Sequence, residues 1–247
     1  MTEHLSPQYF DKIDSDSTEN DYFRPVMNEF ISSLDCKQAS ILDVGCGTGI
    51  SMIPLVEAGC KNLYGVDGPH DYIKRAVDRG YKKTDIVNDL NYDQLPYENQ
   101  MFDAVVTKDV FEHLLSPTFA LREIARVLKP NGLLLFHVPN HFPLLGRIKF
   151  LVNNNIDTFS FFEDESRWSF PHIRFYEHTD SLKVFTAHDF ELVKNLCHHF
   201  VVDVPFVSQI SFLVKTLRKM AHNYPNQFAQ GYTYLLQKTN VTENKNV

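Results

Sequence analysis

Residues 41–49 read Ile41-Leu42-Asp43-Val44-Gly45-Cys46-Gly47-Thr48-Gly49. A short apolar run over Ser40 to Val44 gives way to three alternating glycines, and Ile50 to Ala58 then reads as a helix closed by Gly59. A glycine-rich turn between a buried strand and a helix lets backbone approach a ligand closely. Its spacing is G-x-G-x-G. The dinucleotide fingerprint G-x-G-x-x-G would need glycine at position 50, where the chain has Ile. Asp43 stands inside this turn. A carboxylate there is a poor neighbour for a pyrophosphate and suits a ligand carrying a positive group.

Outward from this turn the same rhythm continues. Asn62 to Val66, Lys82 to Val87, Phe102 to Thr107 and Leu133 to Val138 read as strands, and His70 to Arg79 and Pro117 to Leu128 as helices. Ser116 is placed to cap the second helix, Pro117 suits its first position, and Pro130 follows its end. Upstream, Asp21 to Leu34 carries apolar residues at helical spacing. Downstream, the pattern predicts a helix over Thr179 to Thr186, a strand over Phe190 to Leu196, an amphipathic helix over Phe206 to Ala221 and a last strand over Tyr232 to Gln237. Strands alternating with helices predict an α/β fold: a Rossmann-like, doubly wound, mostly parallel seven-stranded sheet with helices on both faces. Such sheets bind ligands at the carboxyl ends of their strands. The expected organisation is a flexible N-terminal arm over 1–18, a single domain over 19–238 and a polar tail over 239–247. The aromatic stretch 141–177 forms a cap or insertion after the fifth strand. Residues 1 to 24 are placed to close over a ligand, with Tyr9 or Tyr22 touching it.

The chain has 247 residues, 43% hydrophobic and 22% charged, close to the globular average. At about 150 residues per domain that is one large domain or two small ones. No run approaches the roughly 18 apolar residues of a membrane-spanning helix, and the N-terminus lacks the basic start and apolar stretch of a signal peptide. The expected setting is the cytoplasm, without stable membrane insertion. A net charge of −7 speaks against a general electrostatic nucleic-acid binder. The four cysteines, Cys36, Cys46, Cys60 and Cys197, form no C-x-x-C pair and read as free thiols of a reducing compartment.

With these motifs in order, residues from about 38 to about 140 resemble the class I S-adenosylmethionine-dependent methyltransferases. ILDVGCGTG matches the family's first motif, whose loop wraps the methionine part of the cofactor while the acid at the Asp43 position helps neutralise its ammonium. By resemblance Asp67 accepts hydrogen bonds from both ribose hydroxyls, a task suited to an acceptor-only carboxylate. Asn88-Asp89-Leu90 resembles the segment that contacts the adenine amino group. The runs LPYENQMFD (95–103), DVFEHL (109–114) and ALREIARVLKPNGLLLFHVPN (120–140) match in turn. The resemblance implies S-adenosyl-L-methionine as cofactor. Its site takes in Asp43, Gly45, Cys46, Gly47 and Gly49 of the loop, Asp67 and Gly68 at the second strand's end, Asp89 and Leu90 after the third, and Lys108 after the fourth.

The acceptor side is read from residues beyond those strands. If Asp109, Glu112 and His113 open a helix they share one face, which suits a divalent ion or a base. The plainer reading has Glu112 and His113 shape the acceptor pocket or pair with each other, and no metal is assigned. In an extended stretch His172, Arg174 and Tyr176 face one way. His113 and His172 are the catalytic candidates, and His137 is a further possible base. His141, Arg174 and Tyr176 are the acceptor-binding candidates. Residues 171–192 resemble methyltransferases of bacterial surface-glycan and secondary-metabolite pathways, with His188-Asp189-Phe190 in place of the usual Ala-Gly-Phe. The expected partner is a small molecule or sugar, methylated on oxygen or nitrogen within a biosynthetic pathway. Two alternatives stand beside it: a nicotinamide-dependent oxidoreductase, and a non-catalytic binding scaffold of the same fold.

Overall fold

The computed structural model describes residues 17–68, 72–153, 172–201 and 211–239. Helix α1 (Ser17–Ile31) leads into β1 (Ser40–Val44), and a 3-10 turn at Ile50–Met52 continues as α2 (Ile53–Glu57). Then follow β2 (Asn62–Asp67), α3 (Ile73–Asp78), β3 (Lys83–Ile86), β4 (Phe102–Lys108), a 3-10 turn at Phe111–His113, α4 (Pro117–Val127), β5 (Leu128–Pro139) and α5 (Leu144–Asn153). The remainder is α6 (His178–Ala187), β6 (Phe190–Asn195), a 3-10 turn at Cys197–His199, α7 (Ser211–Asn223), α8 (Pro225–Phe228) and β7 (Gly231–Lys238). The expected arm over 1–18 overlaps the first turn of α1, and residues 1–16 with Tyr9 lie outside the described residues, as do residues 154–171 of the expected cap.

The seven strands form one sheet in the order β3-β2-β1-β4-β5-β7-β6. The first five run parallel, and β7 pairs antiparallel with both β5 and β6. The order reverses between β1 and β4, so their carboxyl ends mark the switch point at which such sheets bind ligands. Alternation puts Ile41, Leu63, Ala104, Val106, Leu135 and Leu235 on one face, with Phe23, Met27 and Phe30 of α1. Leu42, Val44, Val66, Val105, Leu134 and Phe136 line the other, with Leu121 and Ile124 of α4.

Two expectations are corrected here. Cys36 and Cys60 are joined by a disulfide, and only Cys46 and Cys197 are free. The register that pairs Ser40 with Asn62 brings the residues just before both strands together. Ser116 occupies the cap position of α4 but makes no side-chain hydrogen bond there; its own N–H instead donates to Asn91 Oδ1 at 2.8 Å.

Arg126 of α4 fastens the loop that enters β4. Its guanidinium meets Glu123 Oε2 at 2.7 Å, the carbonyls of Tyr97 and Leu95 at 2.8 and 2.9 Å, and Asn99 Oδ1 at 2.9 Å. Glu123 in turn accepts the Leu95 N–H at 2.9 Å. Arg126→Ala leaves a buried carboxylate without its cation, a loss of about 3 kcal/mol, or roughly 6–12 °C in the unfolding midpoint. Calorimetric melting checks this, and an unchanged midpoint would remove the brace from the account.

Candidate functional site

The glycine turn leaves β1 with Gly45, Gly47 and Gly49 all at positive φ. The N–H groups of Gly45 and Cys46 donate to the Val66 carbonyl at 2.8 and 3.0 Å, which hooks the turn over the end of β2. There Asp67 accepts the Gly47 N–H at 2.6 Å through one oxygen and the Gly68 N–H at 2.7 Å through the other. A Cβ at Gly45 would meet Val110 Cγ2 at 2.3 Å, so the turn also abuts the segment that follows β4. The Cys46 thiol is buried, and a Cβ at Gly65 would meet its sulfur at 2.7 Å. The Cys46 side chain is therefore packed on β2.

Asp43 is buried beneath this turn, and its Oδ2 accepts the Tyr81 hydroxyl at 2.6 Å. Burial raises its pKa to about 7, helped by the charge of Asp67 and opposed by the Tyr81 bond and Lys108. Lys108, at the end of β4, pairs with Asp109 at 2.9 Å and lies 5.1 Å from the Tyr22 ring centre and 5.6 Å from that of Phe23. Tyr22 thus stands at the rim of this end of the sheet. Asp89 Oδ1 accepts from both the backbone and side-chain nitrogens of Asn91, at 2.8 and 2.7 Å, and Leu90 packs against the core.

Beyond β4 the chain does not form an α-helix from Asp109. Asp109 takes a left-handed turn, φ 55, and only Phe111–His113 coil, as a 3-10 turn. Residues 172–176 are stitched to that turn. The N–H groups of Ile173 and Arg174 donate to the Glu112 carbonyl at 2.8 and 3.1 Å. Arg174 Nε donates to the Leu114 carbonyl at 3.2 Å and its Nη2 to that of Leu115, while the Tyr176 hydroxyl donates to the Phe111 carbonyl at 3.0 Å. Arg174 and Tyr176, expected on the acceptor, brace the turn in this structure.

This stitching gathers the histidines. The rings of His113 and His172 are 4.7 Å apart, and His141 Nε2 lies 2.7 Å from His172 Nδ1. Burial lowers the pKa of His172, and burial together with His172 brings that of His141 to about 4. Glu112 is fully buried among them, and neither carboxyl oxygen has a hydrogen-bond partner. Burial, then the charge of Asp109, raises its pKa to about 9. His137 faces Asp109 at 3.5 Å and Thr233 Oγ1 at 2.7 Å.

Residues 42–136 match the family described as a methyltransferase domain. Over that stretch the chain is similar to methyltransferases. Among similar proteins, the ubiquinone biosynthesis O-methyltransferase of Xanthomonas oryzae pv. oryzae is 32% identical over 127 residues, covering 48% of this chain and 51% of that protein. The 27-O-demethylrifamycin SV methyltransferase of Amycolatopsis mediterranei is 31% identical over 97 residues, covering 37% and 35%. The crystal structure of an S-adenosylmethionine-dependent methyltransferase from Mesorhizobium loti shares the fold at 14% identity and a TM-score of 0.56, covering 85% of this chain and 96% of that one. The chain spans about half the length of the first curated relatives it matches.

The glycine turn is packed tightly on the protein, since a Cβ at Gly45 or Gly49 would strike Val110 or Ala76 within 3 Å, and the carboxylates of Asp43 and Asp67 beside it fit a ligand that carries an ammonium and hydroxyls. One partner of its acids went unread in the sequence. Tyr81 lies 38 positions from Asp43, with no spacing to mark it. Glu112 was read as a pocket or pairing residue, and its complete burial had no local signal. At the opposite, amino ends of β1, β4 and β5 a cleft of about 600 Å³ opens. Asp103 on its wall accepts the Ser40 N–H at 2.8 Å and Lys129 Nζ at 2.7 Å, a structural role.

Proposed function

We propose that this methyltransferase moves the methyl group of S-adenosylmethionine to a hydroxyl or amine of a small-molecule or sugar acceptor. The observation that carries the reading is the pair of acids at adjacent strand ends: Asp43 buried under the glycine turn, and Asp67 bridging the turn to β2. Asp43 would face the cofactor's ammonium and Asp67 its ribose hydroxyls, with Asp89 and Leu90 toward the adenine. Lys108, 2.9 Å from Asp109, would balance the acidic side of the same pocket. When bound, the cofactor supplies a methyl carbon made electrophilic by its sulfonium. The protein's part is to align the acceptor behind that carbon and exclude water. A hydroxyl acceptor also has a proton to lose, and His113 and His172 would assist that loss. Relatives named for O-methylation support a hydroxyl.

Calorimetric titration with S-adenosylmethionine and S-adenosylhomocysteine, with NADH as control, tests this. Micromolar binding of the sulfur ligands alone is expected. Binding of NADH alone would support the oxidoreductase reading, which Ile50 and the buried Asp43 oppose. Binding without turnover across an acceptor screen would support a scaffold.

The affinity should also depend on pH in a defined direction. In the free protein Asp43 holds its proton up to about pH 7, and an ammonium ligand favours the carboxylate. Binding below pH 7 therefore releases a proton. Affinity rises from pH 5 to 7 by up to about tenfold per unit and levels off above. His137 and His141, both lowered to about 4, do not titrate in this window. Asp43→Asn should bind more weakly and lose the slope. A slope unchanged in Asp43→Asn would remove Asp43 from the ammonium site.

A further inference from the structure

We propose that Glu112, His113 and His172 form a site for a zinc-type divalent cation, which binds the acceptor's hydroxyl oxygen beside the cofactor. One potential ligand atom from each residue lies within 4.8 Å of the others, with Glu112 Oε1 and His113 Nε2 4.0 Å apart. Ligand atoms at 2.0–2.2 Å around a tetrahedral zinc are about 3.3 Å from one another. Small side-chain rotations would close the set.

The second, independent observation is the Glu112 carboxyl. It is 0% exposed, and among the described residues neither oxygen has a hydrogen-bond partner. A buried carboxyl without partners is costly in either protonation state, because the ionised form lacks a counter-charge and the neutral form lacks bonds for its O–H and its carbonyl. A cation held between this carboxyl and the two imidazoles would remove the cost.

The surroundings are those of a ligand set held in place. The Glu112 carbonyl accepts the N–H groups of residues 173 and 174, so the segment bearing His172 is tied to the turn bearing the other two. His172 Nδ1 faces His141 Nε2 at 2.7 Å. Ligation through His172 Nε2 makes Nδ1 the donor of that bond, and an imidazole ligand is commonly oriented by such an outer partner. Two imidazoles with one carboxylate suit zinc or a neighbouring transition ion better than magnesium, which prefers oxygen and keeps its waters. They also leave a coordination position open, as catalytic zinc sites do. Val110, two residues before Glu112, abuts Gly45, so the turn that bears Glu112 and His113 packs against the glycine turn.

This role rests on the methyl-transfer reading above. A hydroxyl oxygen bound to the cation gives up its proton to solvent and becomes a stronger nucleophile. The oxygen–carbon bond forms as the carbon–sulfur bond breaks, and sulfur keeps the electron pair. The products are a methyl ether and S-adenosylhomocysteine.

The test uses the full chain stripped with chelator and titrated separately with Zn²⁺, Mn²⁺ and Mg²⁺. Metal content after gel filtration and the visible spectrum of the Co²⁺ form are read alongside. Wild type should hold about one equivalent of Zn²⁺. Glu112→Gln and His172→Ala should each weaken it at least about 100-fold, and His141→Ala about 10–100-fold. His199→Ala, in the separate Glu29, His198 and His199 cluster, should bind as wild type. Loss of the site in His199→Ala alone would overturn the assignment. So would Zn²⁺ binding unchanged in Glu112→Gln and His172→Ala, binding of Mg²⁺ alone, or no binding at all. Melting curves establish that each variant is folded. S-adenosylhomocysteine titration of the same samples separates the two readings: zinc without nucleoside binding removes the methyl-transfer role, and nucleoside without zinc binding removes the cation.

Discussion

Asp67→Ala should weaken S-adenosylmethionine and S-adenosylhomocysteine binding by about 100-fold or more while the protein stays folded. The carboxylate stands at the end of β2, with each oxygen already accepting one backbone N–H, from Gly47 and from Gly68. A carboxylate oxygen can accept more than one hydrogen bond, which suits this pair to ribose hydroxyls. Hydrogen bonds to a charged group contribute roughly 1.5–3 kcal/mol each, and a tenfold change in affinity is about 1.4 kcal/mol. Two lost bonds therefore amount to about 3–6 kcal/mol, or a hundredfold to ten-thousandfold. Release of the Gly47 and Gly68 N–H groups adds to the loss by loosening the turn. Asp67→Asn, which keeps one acceptor oxygen, should fall between. Calorimetry with S-adenosylhomocysteine measures the series. Affinity within threefold of wild type in Asp67→Ala would end the assignment of this acid to the ribose.

Gly45→Ala should abolish measurable cofactor binding and lower the unfolding midpoint by about 5–15 °C. Two penalties combine. Gly45 sits at φ 78, where a side chain costs about 1–2 kcal/mol. The new methyl would also lie 2.3 Å from Val110 Cγ2, an overpacking of about 1–3 kcal/mol. At roughly 2–4 °C per kcal/mol for a chain of this length, the sum gives the stated shift. Relief of the contact displaces either the turn or Val110, and both line the cofactor's end of the sheet. Gly45→Ala combined with Val110→Ala should recover the steric share and not the backbone share. Gly59→Ala is the control: its φ is 86, but nothing lies within 4 Å of the added atom, so only the smaller penalty applies. Equal losses at Gly45 and Gly59 would show that the contact with Val110 does not matter.

The parts legible in the sequence are those written in short-range pattern. Ile41 to Gly49 announces a strand, a tight turn and a helix within nine positions, and the structure places that turn at the switch point of the sheet. The acids at strand ends follow from the same rhythm. Long-range partners have no such signal. Tyr81 reaches Asp43 because β3 returns beside β2, and Cys36 meets Cys60 because β1 and β2 start level. Alternation placed His172, Arg174 and Tyr176 on one side, and all three do turn toward the segment after β4. What they meet there, backbone carbonyls for two and imidazoles for the third, depends on the left-handed turn at Asp109, which no pattern in the sequence marks.

The place of β7 in the sheet has a consequence for biosynthesis. The strand is last among the described elements but fills the gap between β5 and β6. On the ribosome β5 therefore emerges long before its neighbour, and its edge, Leu133 to Val138, waits unpaired. An open apolar edge is a template for the wrong strand. A nascent chain halted short of Gly231 presents that edge to every other nascent chain nearby. Closure of the sheet therefore waits on the arrival of a single late strand.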